Sequence, residues 1–211
     1  MLEQIRGALG FRPDFVAASV RGVTPDAVRR LSPGTRALCF DIDGTITDYH
    51  APTIDPADAA HLRSFRDAGF LTYVISNCYG ERADHVHRLF APLVTAVFTP
   101  ADCLEPGREG DTARRHAKPA PDMVLLAASG RGGSVERLRG DEVLVVGDQL
   151  LKDVAAARAA GAQVLLVPRL GPSDHLGVRV LQRPLETLLR LRRRLPARPG
   201  DWPARLTRVA W

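Results

Sequence analysis

The sequence predicts an α/β fold built on a doubly wound, mostly parallel sheet of the Rossmann-like kind. Two observations support this prediction: short apolar runs recur along the chain, and stretches with the apolar spacing of a helix separate them. Parallel strands need crossover connections, and right-handed helical crossovers on both faces of a sheet give this fold. The chain has 211 residues, of which 45% are apolar, so one domain with a substantial core is expected.

Five strands are expected from the apolar runs. Their positions are residues 37–42, 70–75, 94–98, 142–146 and 164–167. Continuous apolar runs of this length are typical of strands that are covered on both faces, because a helix of comparable burial would be longer. These runs therefore predict the centre of the sheet.

Helices are expected where a capping residue or a proline precedes a stretch of helical spacing. The expected helices are a short one after Thr24 and Pro25, one that begins at Asp55 and Pro56 and ends before Gly69, and others over residues 81–90, 119–128 and 149–160. Proline is tolerated in the first turn of a helix, where its missing N–H would have no helical partner, and glycine is favoured just after the last turn. Helices thus alternate with strands as the predicted fold requires.

Three regions are expected along the chain. Residues 1–35 form an accessory N-terminal segment, residues 36–180 form the core, and residues 181–211 form a basic helix followed by a loose tail. The last region begins with a pattern of leucine and arginine and becomes rich in proline and arginine beyond Pro196. That composition predicts a helix that ends near Pro196.

Positive charge is concentrated at the C-terminal end. The net charge is +5, yet the stretch from Arg179 onward holds nine arginines against Glu186 and Asp201. The rest of the chain is therefore slightly acidic, which argues against nucleic acid as a partner. Any contact with an anionic membrane is assigned to the C-terminal arginines, and the alternative is that they form a solvated helix face.

Cysteine usage and hydropathy favour a cytoplasmic location. Cys39, Cys78 and Cys103 are odd in number and widely spaced, which is typical of thiols in a reducing compartment rather than of disulfides or a zinc site. Residues 1–10 lack the features of a secretory signal, and no apolar run approaches the roughly 20 residues that span a bilayer. We expect peripheral contact with the inner membrane surface at most.

Two carboxylates stand two residues apart where the first apolar run ends. Asp41 and Asp43 are followed by Gly44 and Thr45. Ligands of open α/β sheets collect at the carboxyl ends of strands, and two acids there can act as a nucleophile and as a proton donor and acceptor. Gly44 permits a sharp turn, and the Thr45 hydroxyl can donate to an anion. The alternative is an aspartate-rich turn without a function.

Polar residues also follow the other apolar runs. Ser76 and Asn77 can bind phosphate through a hydroxyl and backbone N–H groups, or they can simply cap a helix. Lys118 can neutralise a phosphoryl oxygen, or it can lie on the surface. Asp148 stands at the end of the fourth run with Asp153 one helical turn later. Asp148 and Asp41 together would offer Mg²⁺ a site of hard oxygen ligands.

These residues, in this order, resemble the motifs of the haloacid dehalogenase-like superfamily of phosphotransfer enzymes, over about residues 36–168. The resemblance implies that Asp41 is the nucleophile and Asp43 the general acid and base. It also implies that Ser76 and Lys118 hold the phosphoryl group during catalysis. Thr45 and Asn77 are expected to assist in binding the phosphate.

The resemblance further implies Mg²⁺ as the cofactor. Its ligands would be the carboxylate of Asp41, the backbone carbonyl of Asp43 and the carboxylate of Asp148. Asp153 would support the water shell of the metal or orient Lys118. The presence of Asp43 favours a phosphatase over a dehalogenase, because a departing ester oxygen benefits from protonation whereas a departing halide does not need it.

Spacing favours an enzyme without a cap domain. Residues 43–70 leave room for a loop and one helix, and residues 76–118 leave room for a helix, a strand and a loop. Neither stretch is long enough for a domain with its own core. An open site suits a large substrate, or a partner subunit that closes it.

A narrower resemblance concerns the substrate. The chain resembles the phosphatidylglycerophosphate phosphatase-type subfamily in three places: residues 12–15, Gly147 with Asp148, and the arginine-rich C-terminal end. This resemblance implies a phospholipid precursor as substrate. The alternative is a soluble nucleotide, a sugar phosphate or a nucleic-acid end. A phospho-receiver is disfavoured because its acids would follow a different order of strands, and an inactive scaffold because no motif is broken.

Overall fold

A seven-stranded sheet forms the centre of the computed structural model, which describes residues 12–105, 111–131, 137–171, 183–197 and 199–209. The strands are β1 (Phe15–Val16), β2 (Ala37–Phe40), β3 (Leu71–Ile75), β4 (Ala96–Phe98), β5 (Val143–Gly147), β6 (Gln163–Leu166) and β7 (Thr207–Arg208). Their order is β4-β3-β2-β5-β6-β1-β7, and every neighbouring pair is parallel except β1 and β7. The predicted mostly parallel α/β fold is confirmed.

The helices lie between the strands in chain order. They are α1 (Pro25–Leu31), α2 (Pro56–Asp67), α3 (Glu81–Phe90), α4 (Asp122–Ala128), α5 (Ala155–Ala159) and α6 (Arg183–Arg192). The predicted caps are present, since the side chains of Thr24 and Asp55 accept hydrogen bonds from the first turns of α1 and α2. Among the described residues, none of these helices is long and apolar enough to cross a membrane.

Two helices differ from their predicted bounds. Helix α4 begins at Asp122 rather than at residue 119. Pro121 accounts for the later start, because a proline disfavours helical backbone angles in the residue before it. The single helix predicted over residues 149–160 is instead a π-helical turn at Leu150–Val154 followed by α5. Single π-helical turns are rare, and they are found frequently at functional sites.

Apolar clusters cover both faces of the sheet, as parallel strands require. Along β2, Leu38 and Phe40 belong to the cluster that includes side chains of α1, α2 and α3. Ala37 and Cys39 belong to the opposite cluster, which includes side chains of α4, α5 and α6. All four β2 side chains are fully buried, so this strand is the interior of the sheet.

The described part of the N-terminal segment is built into this core. Strand β1 pairs in parallel with β6, with Phe15 opposite Leu165 and Val16 opposite Leu166. Phe15 is fully buried, and the Asp14 carboxylate accepts a hydrogen bond of 2.8 Å from the backbone N–H of Val164. The sequence did not predict this strand, because two residues are too few to show an alternating pattern.

The C-terminal region begins with the basic helix that the sequence predicts, α6. A loose tail is predicted beyond it, and the structure instead buries Trp202 and Leu206 and pairs β7 with β1. Arg208 donates a hydrogen bond of 2.6 Å to the carbonyl of Leu31, and its guanidinium lies 4.8 Å from the centre of the Phe15 ring. The chain ends of the described structure thus meet at one edge of the sheet.

The centre of the sheet is a topological switch point. From β2 the chain adds β3 and β4 on one side and later β5 and β6 on the other. In such sheets the crevice for a ligand lies outside the carboxyl ends of the strands where the order reverses. Asp41 follows β2, Ser76 follows β3, and Asp148 follows β5. The topology therefore brings the predicted motifs to one edge.

Candidate active site

A buried lysine joins two of the predicted aspartates. The Lys118 ammonium donates to the carboxylate of Asp41, to Asp153 Oδ1 at 2.8 Å and to the carbonyl of Ile75 at 3.1 Å. All three charged residues are buried. Burial alone would lower the pKa of Lys118, but the carboxylates of Asp153 and Asp41 outweigh it and hold the pKa above its ordinary value. The Lys118 ammonium therefore places a positive charge at the end of β3.

Three carboxylates converge beside this lysine. Oxygens of Asp41, Asp148 and Asp153 all lie within 4.8 Å of one another, and all three residues are buried. Burial raises the pKa of Asp41 to about 7, and Asp153 and Asp148 act in the same direction, although the Lys118 ammonium opposes them. The cluster therefore holds more negative charge than its environment favours.

This cluster fits a divalent cation. Clustered carboxylate oxygens are the ligands that Mg²⁺ prefers, and a bound cation would stabilise the ionised form of Asp41. Asp41 and Asp148, two of the predicted ligands, belong to the cluster, and Asp153, predicted as a supporting residue, lies beside them. Asp43 is predicted to bind the metal through its backbone carbonyl, and its carboxylate lies outside the cluster.

Asp43 lies at the same cleft but in a different environment. Its Oδ1 accepts hydrogen bonds from the backbone N–H of His50 at 2.8 Å and from the Arg82 guanidinium at 3.3 Å. The carboxylate is partly exposed and lines the cleft that also contains Asp41. Two acids in two environments, one buried on a lysine and one at the rim, suit two different roles.

Thr45 and Gly44 shape the turn that carries the two acids. The Thr45 hydroxyl donates to Asp41 Oδ2 at 3.1 Å, so the predicted phosphate-binding hydroxyl is instead placed on Asp41, the predicted nucleophile. Gly44 has a φ of 87°, and a Cβ there would lie 3.2 Å from Asp148 Oδ2. A side chain at this position would be strained and would crowd the carboxylate cluster.

Asn77 and Ser76 take different places at the end of β3. Asn77 donates from its side-chain amide to the carbonyl of Lys118 at 2.9 Å and accepts from the N–H of Lys118 at 2.8 Å. Its side chain, which the sequence predicts to bind phosphate, is thus engaged with the lysine backbone. Ser76 is buried and lines the cleft, which leaves it at the position predicted for phosphate binding.

Both carboxylate oxygens of Asp153 accept hydrogen bonds. Oδ1 pairs with Lys118, and Oδ2 accepts a hydrogen bond of 3.0 Å from the backbone N–H of Gln149. A Cβ on Gly147 would collide with the Asp153 side chain, so glycine at the end of β5 allows this close approach. Asp153 therefore has the contact with Lys118 that the orienting role requires.

The cleft itself has a volume of about 270 Å³. The residues that line it are Asp41, Asp43, Tyr49, His50, Ser76, Asn77, Lys118, Gln149, Lys152 and Asp153. Sequence reasoning missed Tyr49, His50, Gln149 and Lys152 in this set, and it missed Arg82 beside Asp43. Arg82 alone carried a signal, since it is a basic residue in the first turn of α3, where acidic residues are favoured.

Comparison with known proteins agrees with the motifs. Residues 116–173 match a family of proteins described as HAD-hydrolase-like. This segment is therefore similar to haloacid dehalogenase-like proteins. It contains Lys118, Asp148 and Asp153, which are three of the predicted site residues, and the resemblance inferred from the sequence is confirmed there. No curated protein matches the chain.

Several solved structures are also similar to this chain. NagD from E. coli K-12 is 16% identical, with a TM-score of 0.48, over 70% of this chain and 92% of that chain. A HAD family hydrolase from Deinococcus radiodurans R1, with bound phosphate and sodium, is 18% identical with a TM-score of 0.47 over 81% of this chain and 99% of that chain. A thermostable NPPase mutant from Geobacillus stearothermophilus is 13% identical, with a TM-score of 0.44, over 67% of this chain and 92% of that chain.

Proposed function

We propose that this protein is a magnesium-dependent phosphatase that hydrolyses phosphate monoesters through a phospho-aspartyl intermediate on Asp41. One observation carries the proposal: Asp41 is buried against Lys118 within a cluster of carboxylates, and it opens into a cleft that Asp43 shares. A nucleophile, a cation and a separate acid at the carboxyl ends of parallel strands are the groups that phosphoryl transfer needs.

The reaction has two steps. The Asp41 carboxylate attacks phosphorus, a bond from its oxygen to phosphorus forms, and the ester bond breaks as Asp43 gives a proton to the departing oxygen. Water then attacks the phosphorus of the intermediate while Asp43 takes the water proton. The bond to Asp41 breaks, and inorganic phosphate leaves with the carboxylate restored.

The surrounding side chains hold these groups in place. Lys118 neutralises charge next to the attacking carboxylate, Thr45 fixes the second oxygen of Asp41, and Ser76 lies where it can donate to a phosphoryl oxygen. Asp41, Asp148 and the backbone carbonyl of Asp43 would hold Mg²⁺. A bound cation would supply positive charge that stabilises the negative charge on the phosphoryl oxygens.

The site is proposed to work without a cap domain. In the described residues, the stretch after Asp43 forms a loop and α2, and the stretch after Ser76 forms α3, β4 and two short 3₁₀ turns. None of these elements has a separate core. A cleft with no cap would admit the head group of a large substrate.

A phospholipid precursor of the phosphatidylglycerophosphate type is the first substrate we propose. The outer face of α6 supports it: Leu188 and Leu191 are 58% and 59% exposed, and Arg192 and Arg194 are exposed near them. Apolar and cationic side chains on one exposed helix face suit an anionic membrane surface. Soluble nucleotides, sugar phosphates and nucleic-acid ends are the alternative substrates.

A phosphate-release screen across lipid, nucleotide and sugar phosphates tests the function. We expect Mg²⁺-dependent release with at least one class, and beryllium fluoride with Mg²⁺ should trap an adduct on Asp41. Asp41→Asn should abolish turnover and remain folded, whereas Asp67→Asn, at an exposed position on α2, should keep the wild-type rate. Turnover by Asp41→Asn near the wild-type rate would refute the mechanism.

A further inference from the structure

The C-terminal helix α6 contacts the loop that carries the metal-binding aspartate. Two buried charged residues on its inner face, Glu186 and Arg190, lie one turn apart. Arg190 donates a hydrogen bond of 2.8 Å to the backbone carbonyl of Asp148, and Glu186 accepts one of 3.1 Å from the backbone N–H of Leu151. Both ends of the loop from Asp148 to Leu151 are therefore bound to one helix.

This contact accounts for backbone groups that the loop cannot satisfy itself. Asp148 is the first residue after β5, so its carbonyl has left the hydrogen-bond ladder of the sheet. Buried backbone groups need partners, and the side chains of Arg190, Asp153 and Glu186 serve the carbonyl of residue 148 and the N–H groups of residues 149 and 151. Two of these three side chains come from α6.

Arg190 is itself held in place. It is 8% exposed, and its guanidinium lies 5.3 Å from the centre of the Trp202 ring. Leu189, Leu195 and Trp202 belong to the apolar cluster that also contains Leu150 of the loop and Val154 at the end of the π-helical turn. A rigid, stacked guanidinium retains its orientation at little further entropic cost, which suits a positioning role.

We propose that Arg190 is a positioning residue for the metal site: by fixing the backbone of Asp148, it holds the Asp148 carboxylate in the cluster with Asp41 and Asp153. This inference rests on the proposed function only in taking the cluster as the metal site. It gives Arg190, in a region that the sequence presents as a basic extension, a role in holding the metal site. Groups that orient metal ligands typically change metal affinity by about 10- to 100-fold when removed.

Direct metal binding tests the inference without turnover. Mn²⁺ binding to the full chain is measured by electron paramagnetic resonance for the wild type, Arg190→Met, Arg190→Lys and Arg192→Gln, with thermal unfolding as the check on folding. Arg190→Met should weaken Mn²⁺ binding about 10-fold. Arg190→Lys, which retains a donor for the Asp148 carbonyl, should recover most of the affinity, and Arg192→Gln, on the exposed face of α6, should bind like the wild type.

The outcomes separate this inference from the proposed function. Wild-type affinity in folded Arg190→Met overturns the positioning role but leaves the metal site intact, whereas a wild type that binds no Mn²⁺ overturns both. If Arg190→Lys and Arg190→Met lose Mn²⁺ affinity equally, the effect comes from packing on Trp202. That result would contradict a positioning role for the hydrogen bond to the Asp148 carbonyl.

A second measurement does not depend on the stability of the Arg190 variants. In a Trp211→Phe protein, the fluorescence of Trp202 is followed during titration with Mg²⁺. We expect the emission of Trp202 to change as Mg²⁺ is added, with a midpoint at the dissociation constant of the metal. The reason is that Trp202 stacks on the guanidinium that holds Asp148. Unchanged emission at saturating Mg²⁺ would contradict the inference.

Discussion

The side-chain amide of Asn77 binds both backbone polar groups of Lys118, with hydrogen bonds of 2.8 Å and 2.9 Å. The two residues are 41 positions apart in the sequence, so this pair ties the end of β3 to the loop before α4. The amide uses its oxygen and its nitrogen in one contact and fixes the base of the lysine whose ammonium binds Asp41. Asn77 is therefore positioned to act on the proposed phosphoryl site through Lys118.

Asn77→Ala should lower kcat more than it raises KM. The variant loses the support of Lys118, and a displaced cation matters most in the transition state, so we expect kcat to fall about 10-fold. Steady-state kinetics with the best substrate from the screen measures both constants. Ser76→Ala is the comparison, and it should mainly raise KM. A large rise in KM with unchanged kcat for Asn77→Ala would assign it to substrate binding instead.

Lys118→Met should slow the chemical step by about 10²-fold or more, because it removes the cation that faces the transferring group. It should also destabilise the metal-free protein by about 3–5 kcal/mol, because the carboxylates of Asp41 and Asp153 would be left buried without their partner. Single-turnover kinetics and urea unfolding in chelator measure the two effects. Lys152→Met, at the other lysine of the cleft, is the control and should leave the free energy of unfolding nearly unchanged.

Mg²⁺ should stabilise the folded protein, and Asp148→Asn should remove that effect. A ligand that binds only the native state contributes about 2.7 kcal/mol at 100 times its dissociation constant, which is readily seen as a rise in Tm. Thermal unfolding with and without Mg²⁺ measures it for the wild type, Asp148→Asn and Asp141→Asn, the last being exposed and away from the cluster. A Tm that ignores Mg²⁺ in the wild type would contradict the metal site.

Stability should depend on pH through His116. Hydrogen bonds to Asp122 at 2.6 Å and to Asp111 at 2.9 Å raise the pKa of His116 above its ordinary value, because the imidazolium is the form that both carboxylates favour. A raised folded-state pKa gives stability that is complete below the unfolded pKa of about 6.5 and is lost as the pH rises through the folded value.

His116→Gln should therefore lose more stability at pH 6 than at pH 9. Urea unfolding at both pH values, for the wild type and the variant, gives the two differences in the free energy of unfolding. His85→Gln is the control, because the His85 ring contacts a backbone carbonyl, that of Pro52, rather than a carboxylate. An equal loss at the two pH values would show that the charge on His116 contributes nothing to stability.

Charge reversal at Arg192 and Arg194 should weaken binding to anionic vesicles. Each arginine near such a surface contributes about 1 kcal/mol, and the effect falls off within a Debye length, so the loss should be largest at low salt. Vesicle sedimentation compares the wild type with the Arg192→Glu, Arg194→Glu double variant. Hydrolysis of a small soluble phosphate ester should be unchanged. A wild type that does not bind anionic vesicles at low salt would favour a soluble substrate.

Much of the fold and of the site could be predicted from local patterns. Strands β2 to β6 are apolar runs, and α1 to α3 begin at capping or proline residues or show clear helical spacing, so their signals lie within a few neighbouring residues. Asp41, Ser76 and Asp148 were predictable because each directly follows one of these strands, and parallel strands bring their carboxyl ends to one edge.

Other features were set by contacts between distant parts of the chain. Strands β1 and β7 have two residues each and exist because Phe15 and Val16 find partners in β6 and β7, about 150 and 190 positions away. Three side-chain contacts also join residues that are distant in the sequence: Asn77 with Lys118, Arg82 with Asp43, and Arg190 with the Asp148 carbonyl. A backbone hydrogen bond or an ion pair of this kind leaves no periodic trace in the sequence, because it depends only on where the folded chain places the two groups. The sequence by itself determined the sheet and the motif residues at its edge, whereas tertiary structure alone decided which side chains hold those residues in position.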